Sequence, residues 1–310
     1  MFGFSRAEAA GFAVMVALIV LAPAVLYPVF LMKVLCFALF ACAFNLLIGY
    51  VGLLSFGHAA YFGMGSYVAA WAAKSLGLSA ELCILLGGLT GAGLGMVFGW
   101  LAIRRSGIYF AMITLALAQM VYFFCLQAPF TGGEDGIQQV PRAPLFGVIP
   151  MRSDMAMYWM VAAVFLLGFL LIHRIVHSPF GQVLKAIREN EPRATSLGYR
   201  TSDYKLIAFV LSTALSGVAG GTKAIVFGIA TLTDVSSNTS GEVVLMTLLG
   251  GLGTVFGPAA GATLVTALEN YLAQFGAWVT VVQGAIFVVC VLTFRRGIVG
   301  EIGTRLRVAL

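Results

Sequence analysis

Polar side chains that could do chemistry are rare in this chain. Asn45 and His58 flank a glycine-rich stretch, residues 49–66, which also contains Ser55. Such groups can form hydrogen bonds between helices, or they can line a path for a small solute. The candidate path residues are therefore Asn45, Gly52, Ser55, Gly57 and His58. Helix packing is the alternative for the polar members of this set.

Two ionisable residues lie within apolar segments, and they form no catalytic pair. Lys223 is about one turn from the end of its segment, so we expect its ammonium to reach water. Glu269 could reach water too, or it could pair with a neighbouring helix. The sequence has no GxxxxGK[ST] motif, no HExxH motif and no cysteine–histidine cluster at metal spacing. We predict that the chain is not an enzyme and holds neither a metal nor a cofactor.

The composition is that of a membrane protein. Of the 310 residues, 61% are hydrophobic and 10% are charged, whereas soluble domains average about 25% charged residues. Apolar runs of about 20 residues recur along the chain, which indicates helical spans and not alternating barrel strands. We predict an all-α polytopic membrane protein, a single domain over residues 1–310, with about ten transmembrane spans.

Two details of this span pattern are open to test. The first two spans are expected at about residues 9–31 and 33–50, with Pro23 and Pro28 bending the first. The eighth span, residues 242–256, is short and is interrupted by GGLGTVFGP, which begins at Gly250. It could therefore be re-entrant and not transmembrane.

One charged segment, residues 178–205, interrupts the apolar spans and predicts their orientation. It cannot lie in hydrocarbon, because each Lys, Arg or Asp at the centre of a span costs about 2.5–3.5 kcal/mol. Placing this segment and both chain termini in the cytoplasm puts most of the 18 Lys and Arg residues on that side, as the positive-inside rule requires. The other long polar stretch, residues 128–155, is then an external loop.

Proline and glycine predict the local structure of this charged segment. We expect short helical pieces that bend or restart at Pro192, with Gly198 ending the last of them. A plain connecting loop is the alternative. The length and mixed charge of the segment favour a surface that a partner protein binds.

Two stretches, residues 49–66 and 250–261, are too rich in glycine for ordinary spans. Irregular backbone at membrane depth is tolerated only where it is buried or lines a cavity. Because one such stretch occurs in each half of the chain, the pattern suggests an inverted repeat that relates spans two to five to spans seven to ten.

Several segments together resemble the LivM-type permease subunits of ABC importers for branched-chain amino acids. The similar segments are residues 49–67, SGIYFAMITLA from Ser106, residues 131–133 with Gly136, the charged segment, and GGLGTVFGPAAGA from Gly250. The resemblance implies a multi-pass permease of the bacterial inner membrane that forms the translocation path for branched-chain amino acids. ATP would be hydrolysed on separate subunits.

The same resemblance implies that the charged segment carries a degenerate motif for coupling to those ATPase subunits. Glu191, Ala194 and Gly198 match its Glu, Ala and Gly, whereas Pro192 and Arg193 depart from its pattern. The predicted ATPase-coupling residues are Arg188, Glu189, Glu191, Arg193, Ala194 and Gly198.

The implied partners are a homologous second permease subunit, two ATP-binding subunits, an extracytoplasmic solute-binding protein and the lipid bilayer, without nucleic acid. Two alternatives stay open at this point. A permease of the same family could carry urea, amides or other amino acids. From another class, the chain could be a stand-alone channel or an ion-coupled secondary transporter.

Overall fold

The computed structural model describes residues 6–142, 144, 153–272, 278–293 and 297–306. Over these ranges the regular structure is helical, and an isolated antiparallel bridge joins Ile137 to Ala230. The helices are α1 Arg6–Leu21, α2 Pro28–Ile48, α3 His58–Ser75, α4 Ala80–Ala102, α5 Ile108–Gln127, α6 Asp154–Val176, α7 Pro179–Glu189, α8 Glu191–Ser196, α9 Thr201–Phe227, α10 Ser237–Gly250, α11 Gly257–Leu272, α12 Trp278–Thr293 and α13 Gly297–Leu306.

Five of the described helices, α2, α4, α5, α6 and α9, are long and apolar enough to cross a membrane. Together with the absence of strands in the described ranges, they confirm the all-α polytopic class. The number of spans and their orientation stay predictions. In the predicted external loop, the described part contains two short 3-10 turns, and residues 143 and 145–152 lie outside the described residues.

The expected boundary between the first two spans is wrong. Helix α1 ends at Leu21, a 3-10 turn covers Ala22–Ala24, and Pro28 opens α2. Proline favours the first position of a helix, because the N–H that it lacks would have no partner within the helix there. The prolines therefore separate two helices and do not bend one.

Helix α2 lies at the centre of the bundle. In its most apolar stretch of 18 residues, 89% of the residues are buried. It packs against α6, α9, α10 and α11. By contrast, fewer than half of the residues are buried in the corresponding stretches of α4, α5 and α6. These three helices therefore present broad apolar faces to lipid or to another chain.

Helix α9 packs against α3 and α4 at backbone distance. A Cβ atom built on Gly65 of α3 would lie 2.6 Å from Cα of Gly217 in α9. One built on Gly87 of α4 would lie 2.9 Å from the Gly217 carbonyl oxygen. Small residues allow helices to approach this closely in membranes, so these glycines determine the spacing of α3, α4 and α9.

Helix α10 is too short to cross a bilayer alone. Its 14 residues extend about 21 Å at 1.5 Å per residue, against about 30 Å of hydrocarbon. It ends before Gly251, whose φ of +125° suits glycine and few other residues. The chain resumes a helical course at Gly257, so the predicted irregular stretch covers the α10–α11 junction.

Candidate functional site

The helix bundle has two ends. The loop end carries α7 and α8, the C-terminal end of α2 and the N-terminal end of α9. The far end carries the C-terminal end of α9 and the 3-10 turn Leu232–Val235. The charged segment and the beginnings of both glycine-rich stretches meet at the loop end, whereas residues 58–66 of the first stretch belong to the regular helix α3.

The charged segment folds into the two short helices α7 and α8. The Ser178 hydroxyl accepts a bond from the Gly181 N–H, and the Asn190 side chain accepts one from the Arg193 N–H at 3.0 Å. These are N-caps, which provide partners for N–H groups that have none within a helix. The restart predicted near Pro192 is confirmed, with Asn190 as the cap and the proline in the first turn of α8.

The end of α8 also follows the prediction. The helix ends at Ser196, and Gly198 adopts a φ of +91°. A left-handed residue just after a helix is the usual place for glycine. The charged segment is therefore an ordered pair of helices and not a plain loop.

Helix α7 lies against the bundle through its apolar face. Its buried residues are Gly181, Leu184 and Ile187. The Phe180 ring stacks on Tyr204 of α9 with centroids 5.5 Å apart and planes inclined by 19°. These contacts fix α7 to the start of α9.

Helix α8 is joined to α9 by an ion pair. Lys205 Nζ donates to Glu191 Oε1 at 2.5 Å, and the two side chains are 7% and 39% exposed, respectively. Ala194, within α8, is buried. Two of the predicted coupling residues, Glu191 and Ala194, therefore hold α8 in place by their contacts within the chain.

The outer surface of α8 and of the turn after it is exposed. Arg193 and Gly198 from the predicted set lie there. Leu197 is 70% exposed and Tyr199 is 40% exposed. Sequence reasoning missed these two, although an apolar pair beside a helix-ending glycine in a charged segment was a visible signal.

Arg188, near the end of α7, contacts both glycine-rich stretches. Its Nη1 donates to the Gly49 carbonyl oxygen. A Cβ atom on Gly52 would lie 3.2 Å from Arg188 Cγ, and one on Gly253 would lie 3.0 Å from Arg188 Nη1. One side chain therefore lies against residues 49–57 and 250–257, which we call the first break and the second break.

Lys185 contacts the first break from the same helix. Its Nζ lies 5.7 Å from the centroid of the Tyr50 ring, within the roughly 6 Å range of a cation–π contact.

Asn45 joins the two breaks directly. Its Nδ2 donates to the Thr254 carbonyl oxygen at 2.9 Å, and its Oδ1 accepts from the Gly253 N–H at 3.0 Å. Only 2% of the residue is exposed. Asn45 also accepts, through its carbonyl oxygen, the Gly49 N–H at 2.7 Å. The residue thus holds the backbone of both breaks together.

The breaks lie at the same end of the bundle. A Cβ atom on Gly49 would lie 2.8 Å from the Gly253 nitrogen, and α2 and α10 enter their breaks from the same direction. The two breaks therefore do not correspond to each other by inversion. The inverted repeat itself stays a prediction.

His58 is buried among aromatic rings between α2, α3 and α9. Its Nε2 lies 2.9 Å from Ser212 Oγ, whose proton is donated to the Ala43 carbonyl oxygen at 2.5 Å. The hydroxyl therefore accepts from His58 Nε2–H. The ring centroids of His58 and Phe44 are 4.9 Å apart. These contacts favour the helix-packing alternative for His58.

The other path candidates lie in the first break. Ser55 Oγ accepts from the Gly57 N–H at 3.3 Å and is buried. A Cβ atom on Gly57 would lie 3.0 Å from the Thr114 carbonyl carbon, so glycine permits α5 to approach the break. Gly52, with a φ of +80°, faces Arg188. A role for these residues in a path stays a prediction.

At the far end, Lys223 forms a buried ion pair. Its Nζ donates to Asp234 Oδ1, and the two side chains are 14% and 5% exposed. Asp234 Oδ2 also accepts from the Thr231 N–H at 3.3 Å. The expectation that Lys223 reaches water is wrong, because its ammonium pairs with the buried Asp234 carboxylate. Glu269 pairs with Lys33 of α2 at 3.2 Å, as one alternative predicted.

Among the described residues, one group offers three metal-ligating side chains close together. The candidate ligand atoms of Glu8, His173 and His177 lie within 4.8 Å of one another. His177 Nε2 lies 2.9 Å from Glu8 Oε1, and the two imidazole rings stack with centroids 4.2 Å apart. The direct contact of Glu8 in α1 with His177, just after α6, brings these side chains together.

Comparison with known proteins adds a family. The family model described as "Branched-chain amino acid transport system / permease component" matches residues 27–291. The branched-chain amino acid permease protein LivM of Salmonella typhimurium is 28% identical over 277 residues, 82% of this chain. LivH of the same organism is 21% identical over 86% of this chain and 91% of its own length.

A further relative carries a different printed description. The autoinducer 2 import system permease protein LsrC of Klebsiella pneumoniae is 27% identical over 201 residues, 61% of this chain. The present chain spans 65% of the length of the Salmonella LivM relative. No solved structure matches the chain.

Proposed function

We propose, since this chain belongs to the family of branched-chain amino acid transport system permease components, that it is a permease subunit of an ATP-driven importer for branched-chain amino acids. The structural observation that carries the proposal is the ordered α7–α8 pair. It presents an exposed surface on one side and is bound to the irregular breaks on the other. This is the arrangement needed to pass a movement from a partner subunit to membrane helices.

The partners in this proposal are inferred from the missing nucleotide-binding motif and from the printed names of the relatives. The sequence contains no P-loop, so ATP would be bound by two separate subunits. The similarity to both LivM and LivH supports a second, homologous permease subunit. A solute-binding protein outside the bacterial inner membrane would deliver the amino acid.

The surface that binds the ATPase subunits would be the exposed side of α8 and its following turn. Leu197 and Tyr199 supply apolar area and Arg193 supplies charge, a combination typical of protein interfaces. Glu191 and Ala194 would act through the position of α8, because their side chains face α9 and the bundle.

Replacing Leu197 with Asp tests this surface. In purified importer, we expect L197D to lower retention of the ATPase subunits by about tenfold, since desolvating a carboxylate in an apolar contact is unfavourable. L76D is the matched control, because Leu76 is also exposed (55%) but lies after α3 at the far end. Equal retention in L197D and wild type would contradict the assigned surface.

Leucine uptake by the reconstituted importer tests the function. Proteoliposomes that contain both permease subunits, the ATPase subunits and the binding protein should accumulate labelled leucine only with ATP inside. Isoleucine and valine should compete and urea should not. Competition by urea alone would assign the urea or amide alternative, and uptake without the ATPase subunits would assign the stand-alone transporter.

The proposed orientation has its own test. A reporter fused after Gly198 should be active in the cytoplasm, and one fused after Gly136 should be active outside. The opposite pattern would place α7 and α8 on the wrong side of the membrane for ATPase subunits and would overturn the coupling role.

A further inference from the structure

Arg188 is the residue of the α7–α8 pair that contacts both breaks. It lies two residues before Asn190, the cap residue between α7 and α8. Its guanidinium binds the Gly49 carbonyl oxygen, which is 139 residues away in the chain. The same Nη1 lies against Gly253 in the second break.

The two breaks are the parts of the loop end best able to change conformation. Gly52, Gly251 and Gly253 have positive φ angles of 80°, 125° and 74°, and the backbone between the flanking helices lacks a continuous helical hydrogen-bond ladder. A few such residues can absorb large changes of φ and ψ, as hinges do. The first break joins α2 to α3, and the second joins α10 to α11.

Asn45 links the two breaks by hydrogen bonds. Its amide bonds both to Thr254 and to Gly253, while its own backbone receives the Gly49 N–H. Arg188 approaches this junction from the outside, over Gly52. A Cβ atom on Gly297 would lie 2.9 Å from the Gly250 carbonyl carbon, so α13 confines the second break on another side.

We infer that Arg188 and Asn45 form a transmission junction, through which α7 and α8 move both breaks as one unit when ATP acts on the bound subunits. Arg188 is a positioning residue in this scheme, since it acts through the breaks and not on the transported solute. The inference rests on the proposed function. It adds that one side chain conveys the movement to four helices.

Lys185 provides a matched control on the same helix. It is also a cation of α7 and it also contacts the first break, through Tyr50, but it has no recorded contact with the second break among the described residues. Neutralising Lys185 therefore removes the same charge without removing the link between the breaks.

The test compares R188Q and K185Q in the complete reconstituted importer. For R188Q we expect ATPase subunits to remain bound within about twofold, while leucine transported per ATP hydrolysed falls about tenfold, the size expected for loss of a charged hydrogen bond. K185Q should stay within about twofold of wild type on both measures.

Hydrogen–deuterium exchange separates transmission from simple destabilisation. In wild type, peptides covering residues 49–57 and 250–257 should both change their exchange when a non-hydrolysable ATP analogue is added. In R188Q both changes should disappear while exchange without nucleotide stays within about twofold. R188M keeps the aliphatic stem over Gly52 and should behave as R188Q does. It can therefore be measured in place of R188Q if that variant yields too little complex.

Three results would overturn the inference. Wild-type transport per ATP in R188Q or R188M would show that Arg188 transmits nothing. Loss of ATPase subunits from these variants would place Arg188 in the binding surface. Nucleotide-dependent exchange in one break alone would show that the breaks do not move together. All three leave the proposed function intact, whereas uptake by wild type without ATPase subunits would overturn that function itself.

Discussion

Helix α9 carries a lysine–carboxylate ion pair at each end, and the two pairs differ in their surroundings. At the far end, the Lys223 and Asp234 side chains are 14% and 5% exposed, and Asp234 is also bonded to the Thr231 N–H. At the loop end, Lys205 is 7% exposed but its partner Glu191 is 39% exposed. The far-end pair is enclosed, and the loop-end pair has one accessible partner.

The elements that supply the carboxylates differ as well. Asp234 belongs to a turn packed closely on α3, where a Cβ atom on Gly63 would lie 2.8 Å from the Val235 nitrogen. Glu191 opens α8, a six-residue helix with an exposed outer side. The comparison favours a structural role for the far end, and the proposed function adds that the loop end responds to a partner.

Breaking the far-end pair should have the largest effect on stability. In D234A, Lys223 keeps a charge in a buried site without its partner, which costs about 3–5 kcal/mol. We expect a clear fall in the melting temperature of the purified protein in detergent. The double variant K223M/D234L removes both charges and should recover much of the loss. An unchanged melting temperature in D234A would contradict the structural role of this pair.

Replacing Asn45 should have the second-largest effect on stability. N45A leaves the Gly253 N–H and the Thr254 carbonyl oxygen without their side-chain partner. Because both bonds are only partly buried, the total cost should be about 1–3 kcal/mol. Thermal unfolding should show a smaller shift than for D234A. The control is S55A, which loses one 3.3 Å bond to the Gly57 N–H. If S55A and N45A melt at the same temperature, Asn45 does not join the breaks.

The loop-end pair should have the smallest effect on stability and a distinct effect on function. E191Q keeps an oxygen that can accept from Lys205, and the Glu191 side of the pair is 39% exposed to water, so its melting temperature should fall less than that of N45A. E191K places two cations together and should lower ATP-driven leucine uptake, because α8 leaves its position. The charge-swapped double variant E191K/K205E should restore uptake. If uptake does not recover, Glu191 contacts the ATPase directly.

The sequence predicted the features that depend on local composition. Apolar runs gave the all-α membrane class, Pro192 and Gly198 gave the short helices of the charged segment, and glycine content located both breaks. Each of these follows from conformational preferences of neighbouring residues.

The pairings between distant residues could not be predicted in this way. Arg188 binds Gly49 across 139 residues, and Asn45 binds Gly253 across 208; neither follows from local preference or periodicity. The Asp234 partner of Lys223 had a readable signal, since Thr231 and Asp234 have the spacing of a capping box. That signal marks Asp234 as structural, and so as a candidate buried partner.

Hydrogen–deuterium exchange of the assembled importer tests the comparison most directly. Peptides covering residues 190–199 at the loop end and 231–236 at the far end are followed with and without a non-hydrolysable ATP analogue. The account predicts a nucleotide-dependent change over residues 190–199 and constant, strong protection over residues 231–236. Equal responses at both ends, or an unchanged loop end, would contradict it.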